Sequence, residues 1–137
     1  MIEFNYQIDF QLEHKSNLTN WLSDVITSEN YSLDHVNYVF CDDSYLSDIN
    51  VKYLKHNTLT DIITFNYNLG KTICSDIYIS VDRVRENAKT FKVSFQNELH
   101  RVMVHGILHL CGYNDEKETE KLQMRKKEDY YLSLRPL

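Results

Sequence analysis

Glycine and proline are scarce in this chain. Three glycines and one proline (Pro136) among 137 residues exclude linker-rich and low-complexity architectures, and leave no flexible joint that would divide the chain. Cysteine is equally sparse. Cys41, Cys74 and Cys111 form no Cys-x-x-Cys pair, which removes a zinc ribbon or a dithiol redox centre and points to reduced, packing thiols. A basic excess is also missing. The net charge is −5 and the pI is near 5.6, so binding of nucleic acid by phosphate contacts alone is excluded, and no DNA partner is expected. No apolar run approaches the roughly 18 residues of a membrane span, and Met1 to Asn5 shows no basic region ahead of an apolar core. The expectation is one compact domain over residues 1–137, cytoplasmic and without a membrane partner. At this length about two thirds of the unfolded surface can be buried, enough for a core without staples.

Hydrophobic periodicity supplies the framework. Ile2 to Ile8 alternates and reads as a strand, whereas Leu18, Trp21, Leu22, Val25 and Ile26 recur at helical spacing. Val36 to Cys41 predicts a second strand. Asp43 is a plausible cap for a helix whose face is Tyr45, Leu46, Ile49 and Tyr53. Asp61 to Tyr67 and Thr72 to Val81 read as strands joined by a hairpin turn at Asn68-Leu69-Gly70-Lys71. Asp82 is placed to cap a short helix through Lys89. Ser94 precedes a helix with apolar residues Phe95, Leu99, Val102, Met103 and Leu110, a pattern expected of a central, buried element. A last helix is predicted from about Glu116 to Leu132. The fold class is therefore α+β, with a mixed, roughly four-stranded sheet, packed helices and a zincin-like central metal-bearing helix.

Chemistry concentrates in His105-Gly106-Ile107-Leu108-His109-Leu110-Cys111-Gly112-Tyr113-Asn114-Asp115. On a helix, His105 and His109 lie about 40° apart and roughly 6 Å along the axis, so their rings converge on one point. Asp115 would sit about 15 Å from His105 if the helix continued. Gly112 can end it, because glycine takes the left-handed conformation without steric cost and lets the chain turn back. Three ligands with an open fourth position describe a catalytic rather than a structural zinc site, one ion per chain. Cys111 falls about 200° from His109 around the helix and is expected to pack rather than ligate. Gly106, in a helix interior where glycine costs about 0.5–1 kcal/mol, marks a close approach.

This segment resembles the signature of the YbeY family of metal-dependent endoribonucleases, His-Gly-x-Leu-His-Leu-x-Gly-Tyr-Asp-His. Asn50-Val51-Lys52-Tyr53, Thr60-Asp61-Ile62-Ile63-Thr64-Phe65 and Ser75-Asp76-Ile77 are similar to three further family elements. Two departures stand out: Asp115 replaces the third histidine, and Leu54 replaces an arginine. The resemblance implies a single-strand-specific metallo-endoribonuclease acting in small-subunit ribosomal RNA 3′ end maturation and ribosome quality control, with ribosomal particles as partners. In place of the arginine, Lys55 is the candidate to stabilise charge on the phosphate, although an ammonium cannot reproduce a bidentate contact. Asp76 and His56 are candidates for proton transfer.

Other readings share the ligand set. The spacing His-x-x-x-His-x-x-Gly-x-x-Asp is that of metzincin-like peptidases, but Gly106 stands where their general-base glutamate would be. Two histidines and a carboxylate also suit a ferrous oxygenase, against which a helical histidine pair argues. A ribosome-assembly factor with a structural metal is the non-catalytic alternative. Lysines and arginines on the last helix, Lys117, Lys121, Arg125, Lys126 and Lys127, alternate with Glu118, Glu120 and Glu128, so a basic RNA path and a solvated helix face fit them equally.

Overall fold

The computed structural model describes residues 1–55 and 59–137. The elements run β1 (Ile2–Tyr6), α1 (Lys15–Ser28), β2 (Ser32–Cys41), α2 (Asp43–Leu54), β3 (Ile62–Asn66), β4 (Thr72–Ser80), α3 (Val81–Phe91), α4 (Phe95–Leu110) and α5 (Glu118–Ser133). The strands form one mixed sheet in the order β1-β2-β4-β3. β1 and β4 run parallel to β2, and β3 returns antiparallel to β4. The parallel pairs require crossover helices, which α1 provides between β1 and β2. The β3–β4 connection is tight because Gly70 has φ +58° and Leu69 and Thr72 exchange backbone hydrogen bonds across it.

Alternation decides what each face of the sheet carries. Val36, Tyr38 and Phe40 of β2 and Ile73, Ile77 and Ile79 of β4 point to one side and join Leu18, Leu22, Met103, Ile107 and Leu108 in the main core. The opposite side is covered only near α2, by a small cluster of Cys41, Leu46 and Ile63. α4 is the central helix, with ten of its sixteen residues buried. Its contact with the sheet is fixed by Tyr38, whose buried hydroxyl donates to the Met103 carbonyl at 2.8 Å. Gly106 brings helix and sheet together: a Cβ there would lie 3.1 Å from Ile62 Cδ1 and 3.2 Å from Ile77 Cδ1. The close approach at this glycine is made by side chains of β3 and β4, not by backbone.

Two caps differ from the sequence expectation. Asp42, not Asp43, caps α2, its Oδ1 accepting the Tyr45 N–H at 2.8 Å. Asp43 instead pairs with Arg83 at 2.9 Å and accepts from the Ser80 hydroxyl at 2.7 Å. Ser80, not Asp82, caps α3 by accepting the Arg83 N–H. Asp42 precedes the expected cap by one residue and Ser80 by two, and each has the extended backbone that a cap needs. No helix among the described residues is long and apolar enough to cross a membrane.

Candidate metal centre

α4 stops where its glycine allows. Cys111 is the C-cap, Gly112 follows with φ +97°, and the Tyr113 and Gly112 N–H groups donate to the Leu108 and His109 carbonyls at 3.1 and 3.0 Å. This six-to-one and five-to-two pairing is the Schellman arrangement, and it reverses the chain within three residues. Only the positive φ demands glycine, since an added Cβ would meet nothing nearer than the Tyr31 hydroxyl at 3.6 Å. Asn68 fixes the end of the helix from the hairpin side, donating to the Leu110 carbonyl at 2.9 Å.

The reversal brings Asp115 back over the last turn of α4. Its Oδ2 lies 3.2 Å from His105 Nε2 and 3.3 Å from His109 Nε2, and the two Nε2 atoms are 2.9 Å apart. What lies behind each ring decides which nitrogen carries a proton. His109 Nδ1 is 2.8 Å from the Tyr113 carbonyl, which can only accept, so this nitrogen donates. His105 Nδ1 is 2.6 Å from the Glu128 carboxylate and donates likewise. With each Nδ1 proton so engaged, Nε2 of each neutral ring is the atom free to bind a cation, and the two Nε2 atoms and the carboxylate oxygen stand at ligand spacing from one another. Tetrahedral zinc with donors at about 2.0–2.2 Å would space them about 3.3 Å apart. The donor set fits a metal, and His105, His109 and Asp115 are the one such group among the described residues.

Supporting charges complete the site. Glu128 is buried on α5, and Arg101 pairs with it at 2.9 Å while also holding Asp129 at 2.7 Å. A carboxylate behind a ligating imidazole fixes its orientation and makes it a better donor. Burial disfavours a charged His105 ring, but the Glu128 hydrogen bond and the charges of Glu128, Asp115 and Asp61 outweigh it and raise its pKa. The pocket attracts positive charge. Asp61, just before β3, lines the same space, and burial holds its carboxyl above the usual range against the opposing influence of His105.

A cleft of about 610 Å³ opens over these groups, between the C-terminal end of α2, β3 and the Asp115 loop. Lys55 ends α2 in the left-handed conformation, exposed beside the cleft-lining Leu54. His56 lies outside the described residues. Asp76 is not brought to the cleft. It alternates with Ile77 along β4 and so faces the other side of the sheet, where Asn37 and Tyr67 donate to it at 3.3 and 3.4 Å. Cys111 is buried, its thiol pushed up to about 12 chiefly by burial and secondarily by Glu29. Glu128 was the residue hardest to find from sequence. It lies 23 positions from His105, on a helix whose mixed charges suggest a solvated face.

Comparisons with known proteins place the chain in a family. The family described as endoribonuclease YbeY matches residues 3–134. The chain is 57% identical over 134 residues to the endoribonuclease YbeY of Flavobacterium psychrophilum, covering 98% of this chain and 96% of that protein. It is 52% identical to that of Flavobacterium johnsoniae with the same coverage. The solution structure of TM1509 from Thermotoga maritima superposes with a TM-score of 0.69 at 27% identity, covering 97% of this chain and 87% of that one. By a family match across nearly the whole sequence, by these relatives and by the shared fold, the chain belongs to the endoribonuclease YbeY family.

Proposed function

We propose that this protein is a zinc-dependent endoribonuclease that cleaves single-stranded RNA, with one ion per chain held by His105, His109 and Asp115. The observation that carries the reading is the convergence of two imidazole nitrogens and one carboxylate oxygen within 3.3 Å, in a chain that belongs to an endoribonuclease family. When bound, such an ion acidifies water, polarises a phosphoryl oxygen and offsets charge developing on it. The chain's own residues do the rest. Glu128 and the Tyr113 carbonyl hold the two rings in register. Asp61, a half-buried carboxyl lining the cleft, is the group we assign to accept and return a proton. Lys55 is the cation assigned to the substrate phosphate. The small-subunit ribosomal RNA 3′ end is the proposed substrate, in ribosomal particles and in the cytoplasm, following the family.

The test is cleavage of a single-stranded RNA by zinc-loaded protein, with and without chelator. Cleavage that stops on chelation and returns with zinc is expected. Lys55→Ala should lower the rate with metal stoichiometry unchanged. Metal-loaded protein that leaves RNA intact but cuts a peptide library would refute the assignment.

A further inference from the structure

Beyond the ligands, one buried carboxylate joins three elements behind the metal loop. Glu29 caps the C-terminal end of α1, and its side chain is 9% exposed. Its Oε1 accepts the Tyr113 hydroxyl at 2.7 Å. Its Oε2 accepts from the Tyr131 hydroxyl and, at 3.1 Å, from Lys127 Nζ, both on α5. The Lys127 ammonium also lies 5.5 Å from the Tyr113 ring centre and 5.9 Å from that of Tyr131. Four side chains thus close on one point. Burial alone would raise the Glu29 pKa, but the three donors outweigh it and hold the carboxyl below its ordinary value. Glu29 is therefore a permanent anion at neutral pH, with every donor it needs.

Tyr113 is what makes this cluster more than packing. Its hydroxyl is held by Glu29, while its carbonyl, at the other end of the residue, fixes His109 Nδ1 at 2.8 Å. It also sits two residues before Asp115 in the segment that leaves Gly112. We infer that Glu29 is a positioning residue of the metal centre, acting through Tyr113 to set the orientation of His109 and the path of the Asp115 loop. The inference rests on the metal reading above and adds a residue that lies 84 positions from Tyr113. Without the carboxylate, the Tyr113 hydroxyl and the Lys127 ammonium lose their common partner, and the turn is left with its backbone bonds to α4, the His109 contact and Lys127 over the Tyr113 ring. Groups behind a ligand typically set metal affinity within a factor of 10–100.

The test compares zinc affinity, by chelator competition, and the visible spectrum of the cobalt-substituted protein, which reports ligand geometry. Wild-type protein should take up one equivalent. Glu29→Ala should bind zinc about tenfold more weakly and show an altered cobalt spectrum. Glu29→Gln, whose one amide oxygen can still accept the Tyr113 hydroxyl, should restore the spectrum. Tyr113→Phe should reproduce Glu29→Ala, and the double variant should be no worse than either single one, because both remove the same link. Trp21→Phe is the structural control. It breaks the Trp21 Nε1–Tyr131 carbonyl bond at 2.8 Å, which joins α1 to α5 without reaching Tyr113, and should lower stability while leaving the spectrum alone. A wild-type spectrum and affinity in folded Glu29→Ala, or an equal disturbance in Trp21→Phe, overturns the inference. Should Glu29→Ala not fold, Glu29→Gln and Tyr113→Phe decide it by the same readouts. Wild-type protein that binds no metal overturns the metal reading itself, and the inference with it.

Discussion

The two faces of the sheet are built from the same four strands, yet they carry different work. Towards α4, the strands present Val36, Tyr38, Ile77 and Ile79, all fully buried, and the ligands stand at the rim of that packed layer. Away from α4, the same strands present Asn37, Asp76 and Tyr78, with exposed Tyr45, Tyr53 and Tyr67 nearby. The difference teaches where precision is affordable. Ligands need neighbours whose rotamers are fixed by packing, and among the described residues the α4 face supplies far more of them than the small cluster of Cys41, Leu46 and Ile63 opposite. Asp76 makes the contrast sharp: one residue from buried Ile77, it faces out of reach of the metal cleft.

The largest expected effect breaks the comparison if it fails. His109→Ala should abolish metal binding, whereas Asp76→Ala should retain one equivalent, as read by metal analysis of the purified proteins. Asp115→Ala should lose affinity and Asp115→His should keep it, because imidazole fills the same vacancy. Next, deletion in the packed face should cost far more than deletion in the open one. Ile77→Ala should destabilise by about 2–5 kcal/mol, against a change within about 0.5 kcal/mol for a truncation at exposed Tyr53. Denaturant unfolding at fixed metal content measures both.

A pH dependence also belongs to the packed face. His100 of α4 is buried, and burial, with the Arg135 guanidinium 2.8 Å from Nδ1 as a second cause, lowers its pKa to about 4. An unfolded chain takes up that proton near pH 6.5 while the folded one does not. Stability should therefore be intact above pH 6.5, fall as the pH drops towards about 4 and level off below, by about 3 kcal/mol at most. In His100→Gln this share of the loss should vanish, as the difference between two denaturation series at pH 7 and pH 5. Within the packed face, the smallest effect is at Tyr38. Tyr38→Phe should cost about 1 kcal/mol, since only the hydrogen bond to Met103 is removed, although the orphaned carbonyl adds to it.

The sequence exposed those features that depend on neighbours along the chain. Strand alternation, the α4 pattern, the hairpin at Gly70 and the reversal at Gly112 each rest on a few consecutive residues, and the structure places them as expected. The order β1-β2-β4-β3 was not legible, because pairing between distant strands leaves no local mark. Nor was the reach of the site. Glu128 looks like a solvated acid beside lysines and Glu29 like one between polar residues, and only the folded chain shows them held against His105 and Tyr113. The misplaced caps at Asp43 and Asp82 have a simpler source: where two cap-competent residues lie within two positions of one another, composition cannot choose which of them takes the extended backbone.

The three candidate ligands span only eleven positions, from His105 to Asp115, which has a consequence for how metal and folding are linked. A segment that short keeps its donors close together even in the denatured chain, so unfolded protein is itself a weak chelator. Ligand that binds both states stabilises the native one only by the ratio of the two affinities. Raising the zinc concentration should therefore lift the unfolding midpoint by less than the native dissociation constant alone would give. The shortfall, measured against a free peptide of residues 103–117, isolates what the distant carboxylates contribute to holding the ion.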